Sequence, residues 1–248
     1  MRSKRRNIPM LLTLGLTSVY LGGIAIAQQA DGVAAQRVAN VSAKLERAEN
    51  EGDRALLAAS LRSEVRAFVE SSLREQDSSD LLQKRLGAVL QSQDPDREGS
   101  DRPTVRVSNL RYGRSVVLAY SVVRPPHFDL PTITAFTAQD GGFRQSGSTG
   151  DDLEGYTLFT QLLPSPTKDV MWLLAGGRAF TFNGSKFRFR VYTFDGERFE
   201  EVWSPDDVFD AAVRLSTDGF SLTHYVRQHQ TTVTEEYRAM PTGLVRVR

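Results

Sequence analysis

The chain has 248 residues, 40% of them hydrophobic and 25% charged, and it contains no cysteine. Such a length and balance suit one large folded domain or two small ones with a real core. The missing thiols exclude disulfides, thiolate metal sites, iron–sulfur clusters, cysteine nucleophiles and lipid attachment at an N-terminal cysteine. Only three histidines occur, none of them paired at i, i+4, which excludes the helical histidine metal site.

Residues 1–27 read as an export signal. Arg2, Lys4, Arg5 and Arg6 form a basic head, and no acid precedes Asp31. The apolar stretch Ile8 to Ala27 ends in Ala25-Ile26-Ala27, the small-x-small pattern that signal peptidases cut, leaving Gln28 as the new N-terminus. The stretch approaches spanning length, so the alternative is an uncleaved membrane anchor through residues 8–27. Gly15, Gly22, Gly23 and the cleavage pattern favour removal. On either reading the expected location is outside the cytoplasm, in the periplasm or secreted. The segment holds four of the 31 basic residues and none of the 30 acidic ones, so the remainder carries a net −3. A nucleic-acid partner thereby loses its electrostatic support.

From Val33 to about Gln93 the pattern is helical, rich in Ala, Leu, Glu, Arg, Gln and Ser and free of proline. A first helix is expected over Ala34–Ala48, with Val38, Val41 and Leu45 on one stripe. Glu49-Asn50-Glu51-Gly52 reads as its stop, with Asp53 as the next N-cap. Leu57, Leu61, Val65 and Phe68 then recur at the spacing of one buried face. After a break at Asp77-Ser78-Ser79-Asp80, a third helix turns Leu82, Leu86 and either Val89 or Leu90 inward. These stripes are narrow and need each other, the following domain or a partner to bury them.

The polar, proline-containing stretch Ser92–Pro103 reads as a linker, after which the periodicity changes to two. Thr104-Val105-Arg106-Val107 and Phe187-Arg188-Phe189-Arg190-Val191 both alternate. Asn183-Gly184, Asp195-Gly196, Asp218-Gly219 and Asp140-Gly141-Gly142 sit between such runs and supply the positive φ of tight hairpins. About ten to twelve short strands are expected between Val105 and Val247. At Asp195-Gly196 a two-residue loop would pair Tyr192 with Phe199 and Arg190 with Glu201. A four-residue loop would pair Phe194 with Phe199 and Val191 with Val202. Ala135–Phe143 faintly repeats Val191–Phe199, each an aromatic strand, an Asp-Gly turn and a Phe.

The expected fold is therefore α+β by segments. A signal peptide (1–27) precedes a helical segment of two to three helices (28–94), a linker (95–103) and an all-β antiparallel meander domain (104–248). The meander would be a sandwich, an open barrel or a partial propeller. The order Trp172-Leu173-Leu174-Ala175-Gly176-Gly177, Arg190 to Phe199, then Val202-Trp203-Ser204-Pro205-Asp206-Asp207-Val208 resembles a group of uncharacterised exported bacterial proteins. The likeness spans roughly residues 170–226, carries no catalytic residue over, and implies a bacterial envelope protein.

Several residues bear on chemistry. His127 lies in the proline-stiffened Arg124-Pro125-Pro126-His127-Phe128-Asp129-Leu130-Pro131, which reads more simply as turn-shaping. His224 and His229 are five apart, so on one strand they face opposite sides. Asp151-Asp152-Leu153-Glu154 and Asp206, Asp207 and Asp210 are carboxylate clusters, but neither has the spacing of a calcium loop. Gly147-Ser148-Thr149-Gly150 lacks the setting of a nucleophile elbow, and Gly176-Gly177 that of a phosphate loop. Lys186, Arg188 and Arg190 form a basic stripe suited to an anionic glycan or headgroup, or to pairing with Glu200 and Glu201. Tyr192 and Trp203 would mark a binding surface only if exposed.

No catalytic residue, cofactor or metal site is assigned. The expected function is that of an exported non-catalytic binding or interaction protein of the bacterial cell envelope. The alternative is a secreted hydrolase using Asp206, Asp207 or Asp210. The expected partner is an envelope protein or an extracellular ligand. Nucleic acid is not expected, and a membrane only if residues 8–27 stay uncleaved.

Overall fold

A computed structural model describes residues 32–45, 47–73, 79–90, 104–124, 128–150, 153, 157–181 and 184–248. The expected signal segment, the linker 95–103, His127, Asp151, Asp152 and Glu154 lie outside these residues. Among the described residues, three helices precede twelve strands in an α+β arrangement by segments, as the change of periodicity predicts.

Helix α1 covers residues 32–45, α2 Glu51–Ser72 and α3 Ser79–Leu90. The N-cap of α2 is Asn50, not Asp53. Asn50 has extended backbone, its Oδ1 accepts the Asp53 N–H at 2.8 Å, and its Nδ2 donates to the Asp53 carboxylate at 2.6 Å. An Asn at the cap with an acid three residues on satisfies two groups reciprocally, which outweighs the poor helix propensity of Gly52 in the first turn. The stripes are buried as the spacing implies: Val38 and Leu45 on α1, Leu61, Val65 and Phe68 on α2, and Leu82, Leu86 and Leu90 on α3.

Four strands, β1 (Thr104–Tyr112), β2 (Ser115–Arg124), β3 (Phe128–Gln139) and β4 (Gly142–Ser148), form one antiparallel sheet in chain order. The second sheet has eight strands: β5 (Thr157–Leu163), β6 (Met171–Thr181), β7 (Gly184–Phe194), β8 (Phe199–Trp203), β9 (Val208–Leu215), β10 (Gly219–Val226), β11 (Thr231–Met240) and β12 (Gly243–Arg246). Its order is β12-β11-β10-β9-β7-β6-β5. One end of β7 pairs with β8 and the other with β9, so the sheet forks there. The β7–β8 hairpin adopts the four-residue register, with Phe194 opposite Phe199. A bulge at Val202 then sets Val191 opposite Trp203 instead of opposite Val202. The Asp195 carboxylate fixes that loop by accepting the N–H groups of Glu197 and Arg198, each at 2.9 Å. These bonds hold its carboxyl below the usual range.

Alternation in the strands divides the interior into three cores. Val116, Leu118, Tyr120, Phe136 and Phe143 bury the helical stripes on one face of the first sheet. The opposite face, through Val117, Ala119, Ile133 and Ala135, meets Leu158, Leu173, Tyr192 and Phe194 of the second sheet. On the far side of β5–β7, Trp172, Leu174, Phe189 and Val191 pack against Phe220, Leu222, Tyr237 and Ala239, because the β9–β12 half folds back over them. β12 comes alongside β8 without pairing, so the sheet curls and stays open. The two segments of the faint sequence repeat are the β3–β4 and β7–β8 hairpins. They are the same corner of two consecutive four-stranded meanders.

The first sheet has protected edges. α3 lies along β1, and Glu70 of α2 reaches the outer strand β4, where its Oε1 accepts the Gln145 N–H at 2.9 Å. Burial works against the charge on Glu70, but that N–H together with Arg66 at 3.1 Å and Arg144 at 3.2 Å outweighs it and lowers the carboxyl pKa. A carboxyl depressed in the folded state contributes stability that is complete above its unfolded value. That stability is lost as pH falls through the folded value. Glu70→Gln is therefore expected to cost about 1.5–3 kcal/mol at neutral pH and to flatten the acid limb of stability below about pH 4.5, in chemical denaturation followed across pH.

Two glycines make a contrasting pair. Gly219 does not take a positive φ, unlike Gly184 and Gly196 at 118° and 103°. Its constraint is close approach, since a Cβ there would collide with the Tyr237 carbonyl of β11. Gly87 in α3 has open space around it. In urea unfolding, Gly219→Ala should lose about 1–3 kcal/mol, whereas Gly87→Ala should gain about 0.5–1 kcal/mol.

Candidate functional site

Of the carboxylates singled out around β9, Asp206 and Asp207 precede the strand and Asp210 lies within it. Asp206 is exposed in the loop between β8 and β9. Asp207 next to it is gripped by two cations from β7: Arg188 donates two hydrogen bonds, from Nε at 2.7 Å and from Nη2 at 2.9 Å, and Lys186 Nζ lies 2.6 Å away. Asp210 sits at a bulge with φ 44°, and its carboxylate accepts the Ser185 N–H at the start of β7. Asp tolerates this left-handed conformation better than most residues. Asp207 and Asp210 thus fasten β9 and its approach to β7.

The basic stripe is formed as the alternation predicts, with Lys186, Arg188 and Arg190 on one face and Phe187 and Phe189 on the other. Arg190 pairs with Glu201 across the hairpin at 3.2 Å, while Lys186 and Arg188 turn to Asp207 instead of to Glu200. Tyr192 is buried between the sheets, and Trp203 is half-buried against Phe220 and Tyr237 at ring centroid distances of 5.6 and 4.9 Å. Both aromatics are core groups, so the charged face carries no platform made from them.

A second polar cluster, in the C-terminal strands, centres on Glu235. Its carboxylate accepts a hydrogen bond from Tyr237 Oη at 2.7 Å, pairs with Arg246 at 2.7 Å and lies 3.6 Å from His224 Nε2. Burial, followed by the bond to Glu235, pushes the Tyr237 phenol well above its ordinary range. Arg246 belongs to the last strand, so the cluster ties β12 to β11 and β10. The positions 235 and 237 share a strand face, but the partners come from three strands and no sequence spacing announces them. His229 is exposed in the β10–β11 turn, apart from this cluster. Among the described residues, no group of three His, Asp or Glu side chains is placed to hold a metal ion.

A further feature is a groove of about 460 Å³ at the corner between α1 and α2, lined by Lys44, Arg47, Ala48, Asp53, Leu56 and Leu57. Arg54 fixes the corner by donating to the carbonyls of Ala48 and Glu49 at 3.1 and 3.3 Å. Leu57 is half-buried on the inward stripe, whereas Leu56 is 73% exposed. The sequence holds a signal for this. In the run Leu56-Leu57 only one residue can join the i, i+4 stripe, so the other must face outward.

If Asp207 serves to fasten β9, Asp207→Asn should lower stability by about 1.5–3 kcal/mol. The Asp206→Asn variant should leave it within about 0.5 kcal/mol. Thermal and urea unfolding of the two variants make that comparison.

No family model matches the chain, and no curated protein sequence does. Two solved structures of the α-L-arabinofuranosidase Arb93A from Fusarium graminearum are similar at low level, both with an iminosugar inhibitor. One, a point mutant, has 13% identity and a TM-score of 0.31, over 54% of this chain and 44% of that one. The other has 14% identity and a TM-score of 0.33, over 61% and 50%. This chain spans about half the length of those it resembles.

Proposed function

We propose that this is an exported, non-catalytic interaction protein of the bacterial cell envelope, working through the outer surface of its helical layer. The observation that carries this reading is Leu56, exposed beside an apolar groove whose rims are charged. A large apolar side chain in water next to a matching recess is the composition of a contact surface. Of the three carboxylates named for a hydrolase, Asp207 is paired with two β7 cations, Asp210 accepts a backbone N–H, and Asp206 is exposed in the β8–β9 loop, an arrangement that does not favour an acid–base pair. Export rests on the basic head, the apolar stretch and the Ala25-Ile26-Ala27 pattern.

Two measurements test it. Mass spectrometry of the protein recovered from cells should give a chain beginning at Gln28, and an intact Met1 in a cytoplasmic fraction would overturn the export. Cross-linking in intact cells should join α1 or α2 to another polypeptide. Links confined to the interior of one chain would overturn the interaction reading.

A further inference from the structure

We propose that the α1–α2 groove is a self-association surface, filled by Leu56 of a second copy of this chain. This rests on the reading of the helical layer as the contact surface, and it names the partner. Two features of the corner point to a copy of itself. First, the projecting Leu56 and the recess formed with Ala48 and Leu57 belong to the same patch, so one surface carries both the knob and the hole. A two-fold pair requires that combination, because each contact is made twice by the same residues.

Second, the two rims are of opposite sign. Lys44 and Arg47 stand on the α1 side and Asp53 on the α2 side. A two-fold axis running along the groove places the α1 rim of each copy over the α2 rim of the other. Lys44 and Arg47 then face the acidic rim of the second copy across the interface while the leucines meet between them. An axis across the groove would oppose like charges, so the charge pattern also selects the orientation. The recess is short, since α1 is only roughly 20 Å long. A patch this small is expected to give a weak pair and not an obligate dimer.

Sedimentation velocity of the purified protein from roughly 1 to 200 µM should show a monomer–dimer shift. Leu56→Glu should weaken association at least about tenfold while the circular dichroism spectrum is unchanged. Leu56→Ser serves in its place if the glutamate variant does not fold. Lys44→Glu should weaken the dimer, because it sets a carboxylate opposite Asp53 of the second copy across the axis. A monomer throughout the concentration range overturns the proposal, as does a dimer as strong in Leu56→Glu as in the wild type. A photo-crosslinking residue at position 56 in intact cells separates this from the broader reading. A link to a different protein overturns self-pairing alone, and no intermolecular link at all overturns both.

Discussion

A β-sheet has two faces, and here each apolar face must be covered by something. That requirement organises the whole chain. The first sheet is covered by helices on one side and by β5–β7 on the other, and β5–β7 are in turn covered by β9–β12. Such a series could continue indefinitely by adding strands, but both of its ends are closed. At one end α1–α3 offer an apolar stripe inward and a mostly polar surface outward, broken by Leu56 at the α1–α2 corner. At the other, the outer face of β10 and β11 is polar, with Thr223 and Thr234 hydroxyls bonded at 2.9 Å and Arg238 paired to Asp218 at 2.9 Å. Repeat architectures need terminal units of this kind to stay soluble.

Edges pose the second problem, because an unpaired strand edge is a template for further pairing. The chain meets it with different devices: α3 beside β1, the Glu70 carboxylate on the β4 backbone, and the curl that brings β12 next to β8. Most of the charged residues whose sequence positions invite a chemical role serve this mechanical one. Asp207, Asp210 and Glu201 all bind groups on neighbouring strands, and so does Glu235, which no sequence spacing announces. Electrostatics in this molecule mainly joins elements.

Much of this architecture is legible in the residues. Period and turn chemistry are local properties, so Leu61-Val65-Phe68, the alternation of Phe187-Arg188-Phe189 and the Asp195-Gly196 turn announce their structures directly. The N-cap is less legible, because Asn50 and Asp53 are both capping residues and reciprocal bonding between them decides which one caps. Gly219 looks like a turn glycine beside Asp218, whereas its reason lies across the sheet at Tyr237. The same limit applies to Asp207 and Glu235, whose partners are 19 and 11 residues distant or on a third strand. The fork of β7 toward both β8 and β9 likewise depends on long-range packing. For the groove the local signal exists in Leu56-Leu57, but it gains meaning only when α1 is seen to lie beside it.

The placement of the helices ahead of the strands has a consequence for biogenesis. Polypeptides emerge from the N-terminus, and nearly all strand pairing here is between neighbours in sequence, so the meander can grow hairpin by hairpin. The helical layer is the exception. Val38, Leu45 and Phe68 are complete long before Val116, Leu118 and Phe136, their cover, have been made. Narrow amphipathic helices of this length are marginal alone. The nascent chain therefore carries an unshielded apolar stripe until β4 has closed the first sheet. A holding chaperone would have its substrate in that interval, and the finished fold would dismiss it by burying the same three side chains.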